Sequence, residues 1–325
     1  MRGAVVRLVA TAGEDEGRGH LSRAIALAGA LRDRKLVVQL ALLRGNASEG
    51  EAARLREIAV EISGTAGVPA VPKPAATVVD LPDPNELGKA ASPGLLAGAL
   101  VVFDDRELFA GAAEVIVQPS LPAWRGPGKA RTVLAGYRYA PIAREYRELA
   151  TGRSGATAAG EPWVLVCFGG ADPDRVTERI VRGLPPGQAW RTEVVVGASY
   201  GGPTEDWPVD PARDPADLPR RLASCDLALI GAGTLKFEAS CVGRAAVLLA
   251  VADDQLKIGK PFADTGAARW LGDGRTVDPR AVWLAVAELM ADTSERGRMG
   301  DRARAVVDGC GADRVADAIV TAIEG

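Results

Sequence analysis

The one histidine of this chain, His20, follows Gly17-Arg18-Gly19 and opens a small and apolar run, Leu21 to Leu31, with the spacing of a helix. A β-branched apolar run at 4–10 precedes it and reads as a strand. Gly17 and Gly19 therefore sit in a strand-to-helix turn, where glycine admits positive φ and lets a ligand approach the backbone closely. An imidazole in that place can take a proton from water or from a hydroxyl. It could equally do no more than cap the turn, and Gly-x-Gly-His does not separate the two. The stretch is not a dinucleotide fingerprint, because Ser22 stands where the third glycine is needed.

A second chemical device lies in "CDLALIGAGTLKFEASCVG", 225–243, which reads as a strand, a Gly-Ala-Gly turn and a helix opening near Thr234. The amides of Gly233 and Thr234, with the threonine hydroxyl, suit a diphosphate without any cation. Glu238, four residues on and on the same helix face, suits the two hydroxyls of a ribose. An ordinary helix cap and a solvated face charge are the alternatives. A similar turn, Gly169-Gly170, ends the run "WVLVCFGG" at 163–170, and two glycine turns at strand ends favour a nucleoside diphosphate ligand. Asp104-Asp105 and Asp172-Pro-Asp174 could suggest a metal; at strand ends they are read as turn and helix caps, so no metal site is expected.

These residues need elements to carry them. Further strands are expected at 36–43, 76–81, 99–105, 114–118 and 132–136, and again at 192–197, 225–233, 245–253 and 267–272. Helices are expected at about 20–33 and 49–59, with more between the later strands. The alternation predicts an α/β chain of two doubly wound, Rossmann-like domains facing a central cleft. The small, polar segment 151–162 reads as the linker, giving domains 1–150 and 163–325. Val315, Ala318, Ile319, Ala322 and Ile323 mark one face of a last helix whose target the pattern does not reveal.

A hydrophobic share of 47% with 25% charged residues fits a globular protein, and a net charge of −3 without a basic block argues against nucleic acid. The four cysteines, Cys167, Cys225, Cys241 and Cys310, form no Cys-x-x-Cys pair and read as buried thiols in a reducing, cytoplasmic setting. No apolar run reaches the ~18 residues of a membrane span, and the N-terminal run, broken by Arg7, does not read as a signal peptide.

In this order, "GRGHLSRAIALAGAL", "VVFDDRE", "VLVCFGGADPD" and "DLALIGAGTLKFEASCVGRAAVLLAVADDQ" resemble the sugar-nucleotide hydrolase family of pseudaminic acid biosynthesis and its spore-coat polysaccharide relatives. That family is similar to the lipid II-forming GlcNAc transferase and has the GT-B glycosyltransferase fold. The resemblance implies that His20 is the catalytic base, that Gly169, Gly170, Gly233, Thr234 and Glu238 hold the nucleotide, and that Gln255 of "ADDQ" faces sugar or phosphate. It implies hydrolysis of a nucleotide-linked, UDP-type amino or deoxy sugar at the anomeric carbon, with no metal or cofactor, in surface-glycan or related sugar biosynthesis. The chain departs from the family at "VDLPD", 79–83, where the Asp-His-Tyr of the pseudaminic enzymes is absent, and at "YAPIAR", 139–144, where Ala143 replaces an arginine. Asp83, Asp104 and Arg144 are therefore only cleft-facing expectations. Two other functions compete: a GT-B glycosyltransferase that uses the same base on an acceptor hydroxyl, and a sugar-nucleotide binding protein without chemistry.

Overall fold

The computed structural model describes residues 3–13, 17–58, 60–64, 73–86, 96–151 and 160–325. The chain divides into two compact units, Met1–Arg144 with Gly309–Gly325, and Glu145–Asp308. The linker expected at 151–162 lies largely outside the described residues, at 152–159.

In the first unit the strands are β1 (Val5–Thr11), β2 (Val37–Arg44), β3 (Glu61–Gly64), β4 (Ala76–Asp80), β5 (Ala99–Phe103), β6 (Ala112–Gln118) and β7 (Lys129–Ala135). They form one sheet in the order β3-β2-β1-β4-β5-β6-β7. Every pairing is parallel. Parallel sheets are covered on both faces, which is why β1 and β4 are buried along their whole length. Helices α1 (Gly19–Asp33) and α2 (Glu49–Glu57) match the expected spans to within two residues. The short β3, "EISG", escaped the pattern because four residues with one large apolar side chain carry almost no period.

Helix α3 (Arg144–Thr151) starts on the last residue of the first segment, Arg144, and opens the second unit. The unit continues through β8 (Trp163–Cys167), α4 (Val176–Arg182), β9 (Arg191–Val196), β10 (Ala212–Arg213), α5 (Leu218–Ser224), β11 (Leu227–Gly231) and α6 (Leu235–Cys241). The remaining elements are β12 (Ala246–Ala250), α7 (Asp253–Ala263), β13 (Ala268–Asp273), α8 (Pro279–Ala291) and α9 (Thr293–Val306). Its sheet is also parallel, in the order β10-β9-β8-β11-β12-β13. The core beneath it joins Val164, Val166, Leu227, Leu229, Val247 and Leu249 to Trp283 and Leu289 of α8. Each fully buried aliphatic side chain of this kind contributes about 1.5–3 kcal/mol relative to exposure.

The last helix, α10 (Gly311–Glu324), differs from the division at 163–325: it returns to the first unit. Ala312, Val315, Ala316 and Ile319 join the core formed by Leu21, Ala24, Leu27 and Leu31 of α1. Gly311 enables this packing, because a Cβ there would overlap the Ala140 carbonyl. Its apolar face was legible; the sheet it covers depends on where the chain leaves the second unit.

In both sheets the order reverses at one place, between β1 and β4 and between β8 and β11. Adjacent crossovers leave in opposite directions there, opening a crevice at the carboxyl ends of the strands where ligands bind in this class of sheet.

Candidate active site

The turn carrying His20 leaves β1 at the first of these switch points. Gly13 donates its amide to Gly17 O at 3.2 Å, and Gly17 takes φ +70°, which closes the turn. Arg18 braces it from outside, donating from Nε to Glu51 Oε1 at 2.9 Å and from a terminal nitrogen to Asn46 O at 3.2 Å. Glu51 is itself held in the Ser48 capping box of α2. Gly45, at φ +75°, lets this neighbouring loop lie against the turn, since a Cβ would overlap the Ala12 carbonyl.

His20 lies in the first turn of α1, with Nδ1 2.7 Å from Oδ1 of Asp80. Asp80 is the last residue of β4 and pairs with Ala10 of β1, so the parallel register brings it to the same strand ends. Only 4% of Asp80 and 5% of Arg23 is exposed. Arg23, three residues after His20 on the same helix face, grips Asp80 with both arms of its fork. Nε donates to Oδ2 at 2.9 Å, and a terminal nitrogen donates to Oδ1 at 2.6 Å. Its other terminal nitrogen donates to Asp105, and the guanidinium lies over the Phe103 ring at 5.3 Å.

Burial pushes the Asp80 carboxyl up, but the charges of Arg23 and His20 and their hydrogen bonds outweigh it and hold it below the usual carboxylate range. Burial likewise works against the Arg23 charge, and Asp105 and Asp80 overcome it, raising the guanidinium above its ordinary value. Asp80 is therefore a carboxylate, which can only accept, so Nδ1–H is the donor in this contact. When the ring is neutral, the lone pair then lies on the other ring nitrogen, Nε2. An imidazole oriented by an acid in this way has the geometry to take a proton from a hydroxyl.

The three cleft-facing expectations do not join this cluster. Asp104 spends its carboxylate on the Leu108 and Phe109 amides at 2.8 and 3.1 Å and on the Trp124 indole at 2.8 Å, which makes it a loop former. Asp83 accepts from the amide and the side chain of Asn85 at 2.9 and 3.0 Å. Arg144 is 67% exposed at the start of α3, 3.7 Å from Asp33. Asp80 and Arg23 lie inside the quoted segments "VDLPD" and "GRGHLSRAIALAGAL" but were not singled out there. The available signal was an acid closing an apolar strand and an arginine one turn beyond the histidine.

In the second unit the expected residues do gather at strand ends on either side of the switch. Gly169 follows β8 at φ +114°. Gly170 is approached so closely by Gly197 that a Cβ on Gly197 would overlap its backbone, and Ser199 donates its amide to Gly170 O at 3.0 Å. Replacing Gly197 by alanine must therefore displace the Gly170 turn. A loss of about 1–3 kcal/mol in stability is expected by urea unfolding; an unchanged stability would show that the two loops have slack.

After β11, Lys236 folds back so that its buried Nζ donates to the carbonyls of Ala232 and Gly233 at 2.8 and 3.0 Å, 4.1 Å from the Phe237 ring centroid. In a trans peptide the carbonyl and the following amide point in opposite directions, so this clamp turns the N–H groups of Gly233 and Thr234 away from the lysine. Thr234 is already helical at φ −65°, and its side chain makes no capping bond. Gln255 accepts from the Val251 amide at 3.1 Å, and its Nε2 lies 3.3 Å from the place a Cβ on Gly233 would take. Glu238 accepts from the Tyr146 hydroxyl at 3.1 Å.

Asp172 caps α4, accepting from the amides of Val176 and Thr177 at 2.8 and 2.7 Å. Burial, and after it the charges of Glu238 and Asp172, push the Cys167 thiol up to about 12, so it stays protonated.

No family model matches the chain. The spore coat polysaccharide biosynthesis protein SpsG of Bacillus subtilis (strain 168) is 30% identical over 99 residues, which is 30% of this chain and 29% of that protein. Among solved structures, Acinetobacter baumannii MurG matches with a TM-score of 0.58 at 17% identity, over 98% of this chain and 99% of that one. Spinosyn rhamnosyltransferase SpnG complexed with thymidine diphosphate matches with a TM-score of 0.60 at 17% identity, over 97% of this chain and 100% of that one. The chain has the GT-B fold. At such identities the likeness concerns architecture, since one fold hosts many reactions. The GT-B fold and the spore-coat relative agree with the broad resemblance read from the sequence, while neither lends support to hydrolysis. Among the described residues, no helix is long and apolar enough to cross a membrane.

Proposed function

We propose that this protein is a glycosyltransferase that takes a sugar from a nucleoside diphosphate donor and passes it to an acceptor hydroxyl. The observation that carries the reading is the His20–Asp80 pair at the switch point of a GT-B unit; in this reading Nε2 is the base. Transfer is preferred to the hydrolysis implied by the sequence resemblance because a solved neighbour is a rhamnosyltransferase.

In the reaction, the acceptor O–H gives its proton to His20 Nε2 as its oxygen bonds to the anomeric carbon. The bond from that carbon to the diphosphate oxygen breaks, and its electron pair leaves with the nucleoside diphosphate. A single displacement of this kind inverts the anomeric centre. Asp80 keeps Nδ1–H in place and balances the imidazolium that forms. On the second unit, the Gly233 and Thr234 amides receive the diphosphate and Glu238 the ribose. Gln255 and the Gly169-Gly170 turn complete the donor surface, and Gly17 and Gly19 give the backbone close access beside the base.

The test incubates the protein with UDP-, dTDP- and GDP-sugars, with and without a mixture of hydroxyl acceptors, and follows products by NMR. Acceptor-dependent release of nucleoside diphosphate and a new glycoside is expected. Release with free reducing sugar at the same rate without acceptor would make it a hydrolase, and binding without release would make it a binding protein. Glu238→Gln is expected to weaken nucleotide affinity by about tenfold, the scale of a lost charge-assisted hydrogen bond; unchanged affinity would mean that the ribose is held elsewhere.

A further inference from the structure

We infer that Arg23 is a positioning residue: anchored by Asp105, it holds Asp80 so that the His20 ring keeps its proton on Nδ1 and its lone pair on Nε2. The inference rests on His20 acting as the base, and it concerns what prepares that base.

Two groups compete for Nδ1. Asp80 Oδ1 lies 2.7 Å from it and a terminal nitrogen of Arg23 lies 3.1 Å from it. They select opposite tautomers. Asp80 can only accept, so it requires a hydrogen on Nδ1; Arg23 can only donate, so a bond from it would require a bare Nδ1 and place the hydrogen on Nε2, where it would block proton abstraction. The outcome depends on where that terminal nitrogen directs its hydrogens. It lies closer to Asp80 Oδ1, at 2.6 Å, while Nε holds Oδ2 at 2.9 Å. Nε and one hydrogen of that terminal nitrogen are thereby committed to the carboxylate, and the 2.7 Å Asp80 contact outcompetes the longer 3.1 Å approach of the guanidinium at Nδ1.

Asp105 holds the rest of the fork. Its Oδ2 accepts from the far terminal nitrogen, and its Oδ1 is buried with no hydrogen-bond partner among the described residues. The negative charge of Asp105 therefore ties down the arm of the guanidinium that Asp80 does not hold, and the Phe103 ring lies against the fork at 5.3 Å. Remove Asp105 and the fork gains freedom to slide toward Nδ1. The cluster is thus a chain, Asp105–Arg23–Asp80–His20, in which a group without contact to the ring decides which ring nitrogen is basic.

The chain's single histidine makes this directly measurable. Ring-¹⁵N-histidine protein gives one imidazole spin system, and its two nitrogen shifts at a pH where the ring is neutral report the tautomer. The wild type is expected to show protonated Nδ1 and bare Nε2. Asp105→Asn and Arg23→Lys are expected to move the ring toward the Nε2–H form that imidazole prefers in water. They should also lower kcat by at least about tenfold, part of the ~10²–10⁴ that a general base supplies, with the donor KM nearly unchanged. Arg23→Lys should retain more of the wild-type pattern than Arg23→Gln, and circular dichroism checks that each variant folds.

A wild-type ring already in the Nε2–H form would overturn the inference. So would folded Asp105→Asn protein with wild-type ring shifts. Neither result depends on turnover: a protein that acts on no nucleotide sugar would refute the proposed function while the nitrogen shifts still decide the clamp.

Discussion

Alanine at position 20 is expected to lower turnover by roughly 10²- to 10⁴-fold, the range supplied by a positioned general base. Affinity for a nucleoside diphosphate should be nearly unaffected, because the residues proposed to hold it, Gly233, Thr234 and Glu238, belong to the other compact unit. The stability cost should be small as well. His20 contributes one hydrogen bond to Asp80, and Arg23 continues to pair that carboxylate after the ring is gone. Loss of kcat with an unchanged calorimetric Kd and melting temperature is therefore the signature. Retained turnover would remove His20 from the chemistry and leave it as a turn residue.

The second large effect falls on Asp80, and there catalysis and stability are lost together. Asp80→Asn preserves shape but replaces an acceptor-only group with one that can donate, so the ring is no longer forced to carry its proton on Nδ1; about 10²- to 10⁴-fold in kcat is expected. Asp80→Ala leaves Arg23 buried with Asp105 as its remaining carboxylate partner. Removing one partner of a buried ion pair costs about 3–5 kcal/mol, and the surviving partner places this case at the low end.

The folded-state pKa of Asp80 is depressed, so its ionised form stabilises the fold fully above the unfolded carboxylate range near pH ~4, and that contribution is lost as pH falls through the lower folded value. The stability gap between wild type and Asp80→Asn, measured by urea unfolding, should therefore narrow on acidification below about pH 4. A gap that stayed constant would mean that Asp80 contributes shape and not charge.

The chain's local order was readable to a useful degree, for reasons visible in particular segments. Strands β1, β4, β8, β11 and β12 are mostly apolar runs because both faces of a parallel sheet are covered, and their ends fell within a few residues of expectation. The two-residue β10 and the four-residue β3 are too short to show a period. Aspartates 104 and 172 were read as turn and helix formers, and each holds backbone amides. Lys236 was overlooked because a lysine in a helix is usually solvated. Its ammonium is met by two carbonyls and by the Phe237 and Phe262 rings, which suits burial.

By itself, then, the sequence determined the alternation of strands and helices, the glycine turns at strand ends and the placement of His20 directly after the first strand. All of these depend on residues within about a dozen positions of one another, where periodicity and backbone sterics act. Only the tertiary structure decided that His20 pairs with Asp80 and not with Asp83 or Asp104, that Arg23 and Asp105 stand behind that pair, and that α10 returns to the first sheet. Those facts follow from the order of strands and the register of Ala10 against Asp80. Sheet order and register are set by the burial of whole faces, so the partner of a residue sixty positions away becomes fixed only when the sheet assembles.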